Sequence, residues 1–251
     1  MQTNILTCRL QIVLFLSFIS FTFSNCYFNE GAFGNKTECI VASGATVSRT
    51  FDTENFSIVY VPDEWSDVTI EKGEHCQVTF EGKENMLEAI DLSTNNDALQ
   101  FKLNKCFQGL EKVKVTITMP SLKKLSNLTF NAGVHVRGFK GTTLDISNDE
   151  SAKMDFDVDY EKIICRMNRG SLTLTGRTDD LEAYFYTSAG LEAFGLEAKR
   201  ASIITNSIWT INVRATEQLS VKINDSGDVY YKGHPSIDTT ISGSGRLINA
   251  N

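Results

Sequence analysis

Histidine, proline and helical periodicity are all scarce in this chain, and each scarcity removes a class of function. The 251 residues hold three histidines, His75, His135 and His234, set far apart. That leaves little material for a His-rich metal site or a His-based catalytic triad. Three prolines exclude a Pro-rich or collagen-like chain. No C-x-x-C pair occurs, so a zinc or dithiol redox site has no basis. The net charge is −7, with no block of clustered Lys and Arg, which argues against nucleic acid or an anionic membrane as the main partner. Only one long apolar run exists, IVLFLSFISFTF at 12–23. It is too short to cross roughly 30 Å of hydrocarbon as a helix.

That run has the form of a secretory signal. Arg9 supplies the positive n-region, 12–23 the apolar h-region, and Thr22 and Ser24 the small residues before a cleavage site. We therefore expect a signal peptide at 1–24, an N-terminal segment at 25–44 and no transmembrane span after cleavage; an uncleaved anchor is the alternative. Cys26 raises a lipid anchor as a further possibility, although Asn25 before it suits that processing poorly. A secreted or cell-surface location follows.

The six cysteines are Cys8, Cys26, Cys39, Cys76, Cys106 and Cys165. Cys8 leaves with the signal. Cys76 starts the strand-like CQVTF and Cys106 ends the strand-like LQFKLNKC, so antiparallel pairing of the two runs would allow a Cys76–Cys106 disulfide. Cys26–Cys39 is the other local candidate. Cys165, in the apolar EKIICRM, reads as a buried thiol. N-x-S/T sequons at Asn35, Asn55, Asn127 and Asn224 would be glycan acceptors in a eukaryotic host if exposed.

The body of the chain alternates in twos: SIVYV, QVTF, ALQFKL, KVKVTITM, SLTLT, IWTINV, LSVKI. Such alternation marks half-buried strands. KENMLEAIDL at 83–92 is the one short helix or turn expected. After Pro120 a rhythm sets in. Gly133, Ser151, Gly170, Gly190, Ile208, Gly227 and Gly245 are spaced by 18 to 20 residues, each followed by a short strand. A period too short for two helices predicts a solenoid. The expected fold is all-β: a parallel β-helix of roughly seven 18–20-residue coils over 121–251, with a β-rich N-terminal cap at 45–120; a β-sandwich with accidental spacing is the alternative, although its turn signals would come about every 8–12 residues. Gly227 and Gly245 are expected at equivalent, stacked corners.

The stretch from DDLEAYFYTSAG at 179 to SGSGRL at 247 resembles the putative auto-transporter adhesin head GIN domain family, most specifically in SGDVYYKG (226–233) and HPSIDTTISGSGRL (234–247). RTFDTENFSIVYV (49–61) and KVKVTITMPSLKKL (112–125) extend the likeness to about 45–251. The Gly-Ser-Gly corners are degraded to NRGS, TSAG and TNSI in the middle. The resemblance implies a parallel β-helix domain on secreted or surface proteins and brings no catalytic residues with it.

Asp155, Asp157 and Asp159 alternate with Phe156, Val158 and Tyr160, so three carboxylates share one strand face. Calcium binding is the functional reading; a solvated outer face is the plain one. Tyr184, Phe185, Tyr186, Trp209, Tyr230 and Tyr231 could stack on sugar rings or simply pack. Arg166, Arg169 and Arg177 form a small basic spot. GSG at 243–245 lacks the following helix that a phosphate loop requires. No cofactor is implied. The expected function is a non-enzymatic β-solenoid that offers a binding or adhesion surface to an extracellular ligand, glycan or protein. The alternatives are a carbohydrate-active β-helix enzyme, lyase or hydrolase, and a purely structural matrix component.

Overall fold

In the computed structural model, residues 39–61, 65–109, 111–128 and 133–251 are described. The expected signal segment 1–24, Cys26 and Asn35 lie outside these residues.

The N-terminal half is built from short strands. β1 (Ile40–Val41) is followed by β2 (Thr46–Asp52), β3 (Ile58–Val61), β4 (Ser66–Lys72) and β5 (Gln77–Lys83). A single helical turn, α1 (Glu84–Leu87), lies within the 83–92 stretch, and β6 (Ile90–Asn95) starts before that stretch ends. β6 and β7 (Ala98–Leu103) form an antiparallel hairpin. Its two loop residues, Asn96 and Asp97, have φ of 52° and 64°. Both central residues are thus left-handed, the geometry that matches the twist of paired strands and that Asn and Asp tolerate. β8 (Phe107–Gln108), β9 (Val113–Met119) and β10 (Lys124–Asn127) complete this half.

The C-terminal half is carried by β11 (Gly133–Asn148), β12 (Lys153–Ser207), β13 (Ile211–Ile223), β14 (Val229–Lys232), β15 (Ser236–Ile241) and β16 (Leu247–Asn249). β12 stays extended through 55 residues while passing several corners. Successive passes pair in parallel: Lys124 with Asp145, Leu144 with Ile163, Leu191 with Ile211 and Ile211 with Val229, partners 18 to 21 residues apart. A register shift between Arg137 and Phe139 coincides with Gly138 at φ +80°, where the extra residue bulges out.

The expected fold class needs correction. The chain is all-β, but its strands form a mixed sheet that curls as a half-barrel, not a parallel β-helix with a separate cap. β2–β5, β5–β9 and β6–β7 are antiparallel, and they belong to the same 14-stranded sheet as the parallel pairs. β4 joins the two halves by pairing in parallel with both β9 and β11. Side-chain alternation reads the same in both strand directions, so period alone overstated the parallel content.

The core follows from that alternation. Met154, Phe156, Val158 and Tyr160 point inward while Asp155, Asp157 and Asp159 point out. Inward residues stack in columns such as Leu125–Ile146–Cys165 and Ile203–Val221. Each fully buried Leu, Ile or Val contributes about 1.5–3 kcal/mol relative to exposure. The N-terminal core adds Trp65, Phe80 and Phe101, whose rings meet edge to face with centroids 5.8–5.9 Å apart.

Candidate functional site

The acid ladder is engaged from the neighbouring strand. His135, Arg137 and Lys140 on β11 lie in register with Asp155, Asp157 and Asp159 on β12. Asp155 meets both His135 Nδ1 and the Arg137 guanidinium. Lys140 Nζ lies 3.1 Å from Asp159, and Thr175 Oγ1 donates to Asp157 at 3.4 Å from the next pass. Asp155 and Asp159 are thus met by basic side chains of the neighbouring strand, Arg137 and Lys140, while Asp157 meets a hydroxyl. Among the described residues no three His, Cys, Asp or Glu side chains gather into a metal-binding group.

The basic spot is likewise divided. Arg166 donates to Asp145 at 2.8 Å and Arg169 to Glu150 at 3.1 Å. Arg177 is exposed. The glycine-rich corners spend their N–H groups on the pass below: Gly227 donates to Ser207 O and Gly245 to Asp225 O, each at 3.0 Å. These amides are not aimed at an anion.

Cysteine pairing differs from expectation. Cys106 is bonded to Cys39, with Cα atoms 4.6 Å apart, and Cys76 is a buried free thiol. Cys76–Cys106 is therefore corrected, and Cys39 is taken by a partner other than Cys26. The reason is strand pairing. Cys76 precedes β5, which runs between β2 and β9, whereas Cys106 precedes β8, the partner of β1. Cys165 is a buried free thiol. Burial, with the Asp145 charge adding to it, pushes its titration far above that of an ordinary thiol.

The sequons separate by exposure. Asn55 is exposed. Asn224 is half-buried and donates to Asn206 at 2.7 Å. Asn127 is fully buried and donates to Asn148 at 2.7 Å, so its amide faces away from any glycosylating enzyme.

The aromatic residues also separate. Phe185 belongs to the core; Tyr184, Tyr230 and Tyr231 are half-buried. Tyr186 and Trp209 are exposed, Trp209 by 46%. Trp209 stands at one end of an open groove of about 390 Å³. The groove follows the corner row that set the sequence rhythm. Gly133, Ser151, Gly170 and Ser188 line it on successive passes, and Asp67 with Lys112 borders the far end. Lys112 Nζ lies 2.9 Å from Asp67 Oδ1. The lining stays small for a structural reason. Gly170 has φ +85°, and a Cβ there would fall 2.2 Å from Ala152 O. At Gly190 a Cβ would come 3.3 Å from Trp209 Cε3, so the indole lies close over that glycine.

Ser207 sets the corner beneath the indole. It is fully buried, and its Oγ accepts from Trp209 N at 3.0 Å and Ala189 N at 3.2 Å. The same Oγ donates to Ala189 O at 2.8 Å. Sequence reasoning marked Gly133, Ser151 and Gly170 as corners and Trp209 as an aromatic, but neither their convergence on one groove nor the role of Ser207. The only available signal was that small residues recur at the same phase of each pass.

Comparison with known proteins sets this architecture in context. The family described as "Putative auto-transporter adhesin, head GIN domain" matches residues 55–235. A crystal structure described as a putative adhesin from Bacteroides fragilis is similar, at 20% identity and TM-score 0.79, over 84% of this chain and 100% of that one. One described as a putative adhesin from Parabacteroides distasonis has 18% identity and TM-score 0.68, over 85% and 100%. Another from the same organism, described as a putative lipid binding protein, has 17% identity and TM-score 0.65, over 85% and 100%. At such identities the likeness shows the fold. No curated protein matches the chain. Matched over most of its own length, the chain belongs to this family, "Putative auto-transporter adhesin, head GIN domain".

Proposed function

We propose that this protein is a non-enzymatic binding module displayed outside the cell, and that it engages its ligand through the corner groove. The observation that carries this reading is the groove's lining. It is open, built of Gly and Ser on a hydrogen-bonded sheet, and ends at an exposed indole. An acid–base pair converging on a reacting bond would be the mark of a lyase or hydrolase. The groove holds one carboxylate, Asp67, and that group lies against Lys112. The Cys39–Cys106 disulfide and the 1–24 segment support an oxidising, exported setting. The adhesin names of the family and of two similar structures point the same way.

The test is the secreted protein applied to arrays of glycans and matrix proteins, beside an assay on uronic-acid polymers. Saturable binding without turnover is expected. Release of unsaturated product would replace this reading with the lyase. Silence in both assays would favour a structural matrix role.

A further inference from the structure

We propose that the corner groove takes a neutral sugar chain, with the Trp209 indole as the stacking platform for one pyranose ring. This deepens the binding-module reading and rests on it.

The indole is the first argument. A tryptophan that could bury its ring gains from doing so, yet Trp209 stays 46% exposed while lying close over Gly190. A flat π-face held open to water suits the C–H face of a sugar. Its backbone is anchored: the buried Ser207 hydroxyl bonds Trp209 N and both backbone groups of Ala189, so the corner that carries the indole needs no ordering on binding.

The lining is the second. Ser151, Ser171 and Ser188 come from successive passes of the chain. Passes in one sheet lie about 4.8 Å apart, close to the rise of one residue in an extended glycan. Their hydroxyls both donate and accept, as sugar hydroxyls demand.

Charge is the third. The groove's charged residues are Asp67, Lys112 and Lys153, and the first two are paired with each other. One remaining lysine does not make a site for a polyanion, which would draw on several cations. A peptide strand is disfavoured as well. The groove crosses the strands at their corners, where backbone groups already bond to adjacent passes, as Ser171 N does to Ala152 O at 2.9 Å.

The experiment uses the secreted chain and a set of neutral probes: cellohexaose, laminarihexaose, mannohexaose, xylohexaose and chitohexaose. Binding is followed by calorimetry and by tryptophan emission, which reports the exposed Trp209 against the half-buried Trp65. At least one probe is expected to bind saturably with a blue shift. Trp209→Ala should weaken it more than about tenfold, and Trp209→Phe less than about fivefold. Ser171→Trp, which fills the groove and leaves the indole in place, should also weaken it more than about tenfold. Absence of binding by all five probes overturns the proposal, as does binding that survives both Trp209→Ala and Ser171→Trp. Immobilised collagen and fibronectin are tested with the same variants. Protein binding blocked by Ser171→Trp, with no sugar bound, overturns the sugar chain and leaves the binding module standing. No binding to sugar or protein removes both.

Discussion

Cys39 and Cys106 sit one residue before the paired strands β1 and β8, so the disulfide extends a parallel register in which Ile40 faces Phe107. Ile40 N donates to Cys106 O at 3.0 Å, and the bond clamps the short β1 onto the body across 67 residues. A bridge closing a loop of that length is worth about 4 kcal/mol on the entropic account. Cys39→Ala should lower the urea-unfolding free energy by up to about that amount, and Cys76→Ala should leave the bridge intact. Non-reducing peptide maps decide the pairing; a peptide joining Cys76 to Cys106 would refute it. Cys165 should resist maleimide until the protein unfolds.

Tyr160 is held neutral to unusually high pH. Its hydroxyl donates to Leu122 O at 2.6 Å, and burial pushes its pKa from 10.0 up to about 12. The folded state thus keeps a proton that the unfolded state releases near 10. Stability from this group is complete below pH 10 and falls as pH rises from 10 towards 12, because the unfolded chain then binds fewer protons. Absorbance at the phenolate band should show one late tyrosine. Tyr160→Phe should remove it and cost about 1 kcal/mol for the lost hydrogen bond and the stranded carbonyl.

Gly227 and Gly245 do stack as equivalent corners, but crowding and not a left-handed backbone excludes a side chain. Neither has positive φ. A Cβ on Gly245 would lie 2.3 Å from Gly227 O, and one on Gly227 would lie 2.4 Å from Trp209 O. Gly227→Val should cost more than about 1 kcal/mol in chemical denaturation. Gly245→Val should cost less, since its pass ends at β16, the last strand of the sheet path, and can fray. Equal, negligible losses at both sites would refute the stacking.

Glycan occupancy should follow exposure. In a eukaryotic secretory host, Asn55 is expected to carry a glycan and Asn127 none. Intact mass before and after glycosidase treatment, with Asn55→Gln as the control, checks this. A glycan on Asn127 would mean that the chain is modified before β10 joins its neighbours.

The strands were legible because alternation is a local property: Met154 to Tyr160 declares its inward face in seven consecutive residues. The corner row was legible because backbone crowding at Gly170 and Gly227 excludes side chains. Strand direction and long-range partners were not. Nothing near Cys106 announces that β8 will meet β1 across 67 residues, and the expected antiparallel pairing of CQVTF with LQFKLNKC suggested Cys76 instead. What meets the Asp ladder was not legible either, because Arg137 and Lys140 lie on another strand, about 20 residues earlier in sequence. The groove was hidden for the same reason: its residues converge only after the passes stack.

Asn127 and Asn148, joined by a 2.7 Å hydrogen bond between their side-chain amides inside the sheet, answer a problem that any array of similar rows creates. Aliphatic columns tolerate almost any apolar neighbour, so a chain that slipped by one whole row could still bury its oil. An interior amide tolerates only a matching one. Asn148 also donates to Arg169 O at 2.6 Å, so the address extends to a third row. Misalignment would strand these groups without partners, at a cost of about 1–3 kcal/mol each. The two asparagines thus act as a combination lock on row order, trading a little interior hydrophobicity for a single correct assembly.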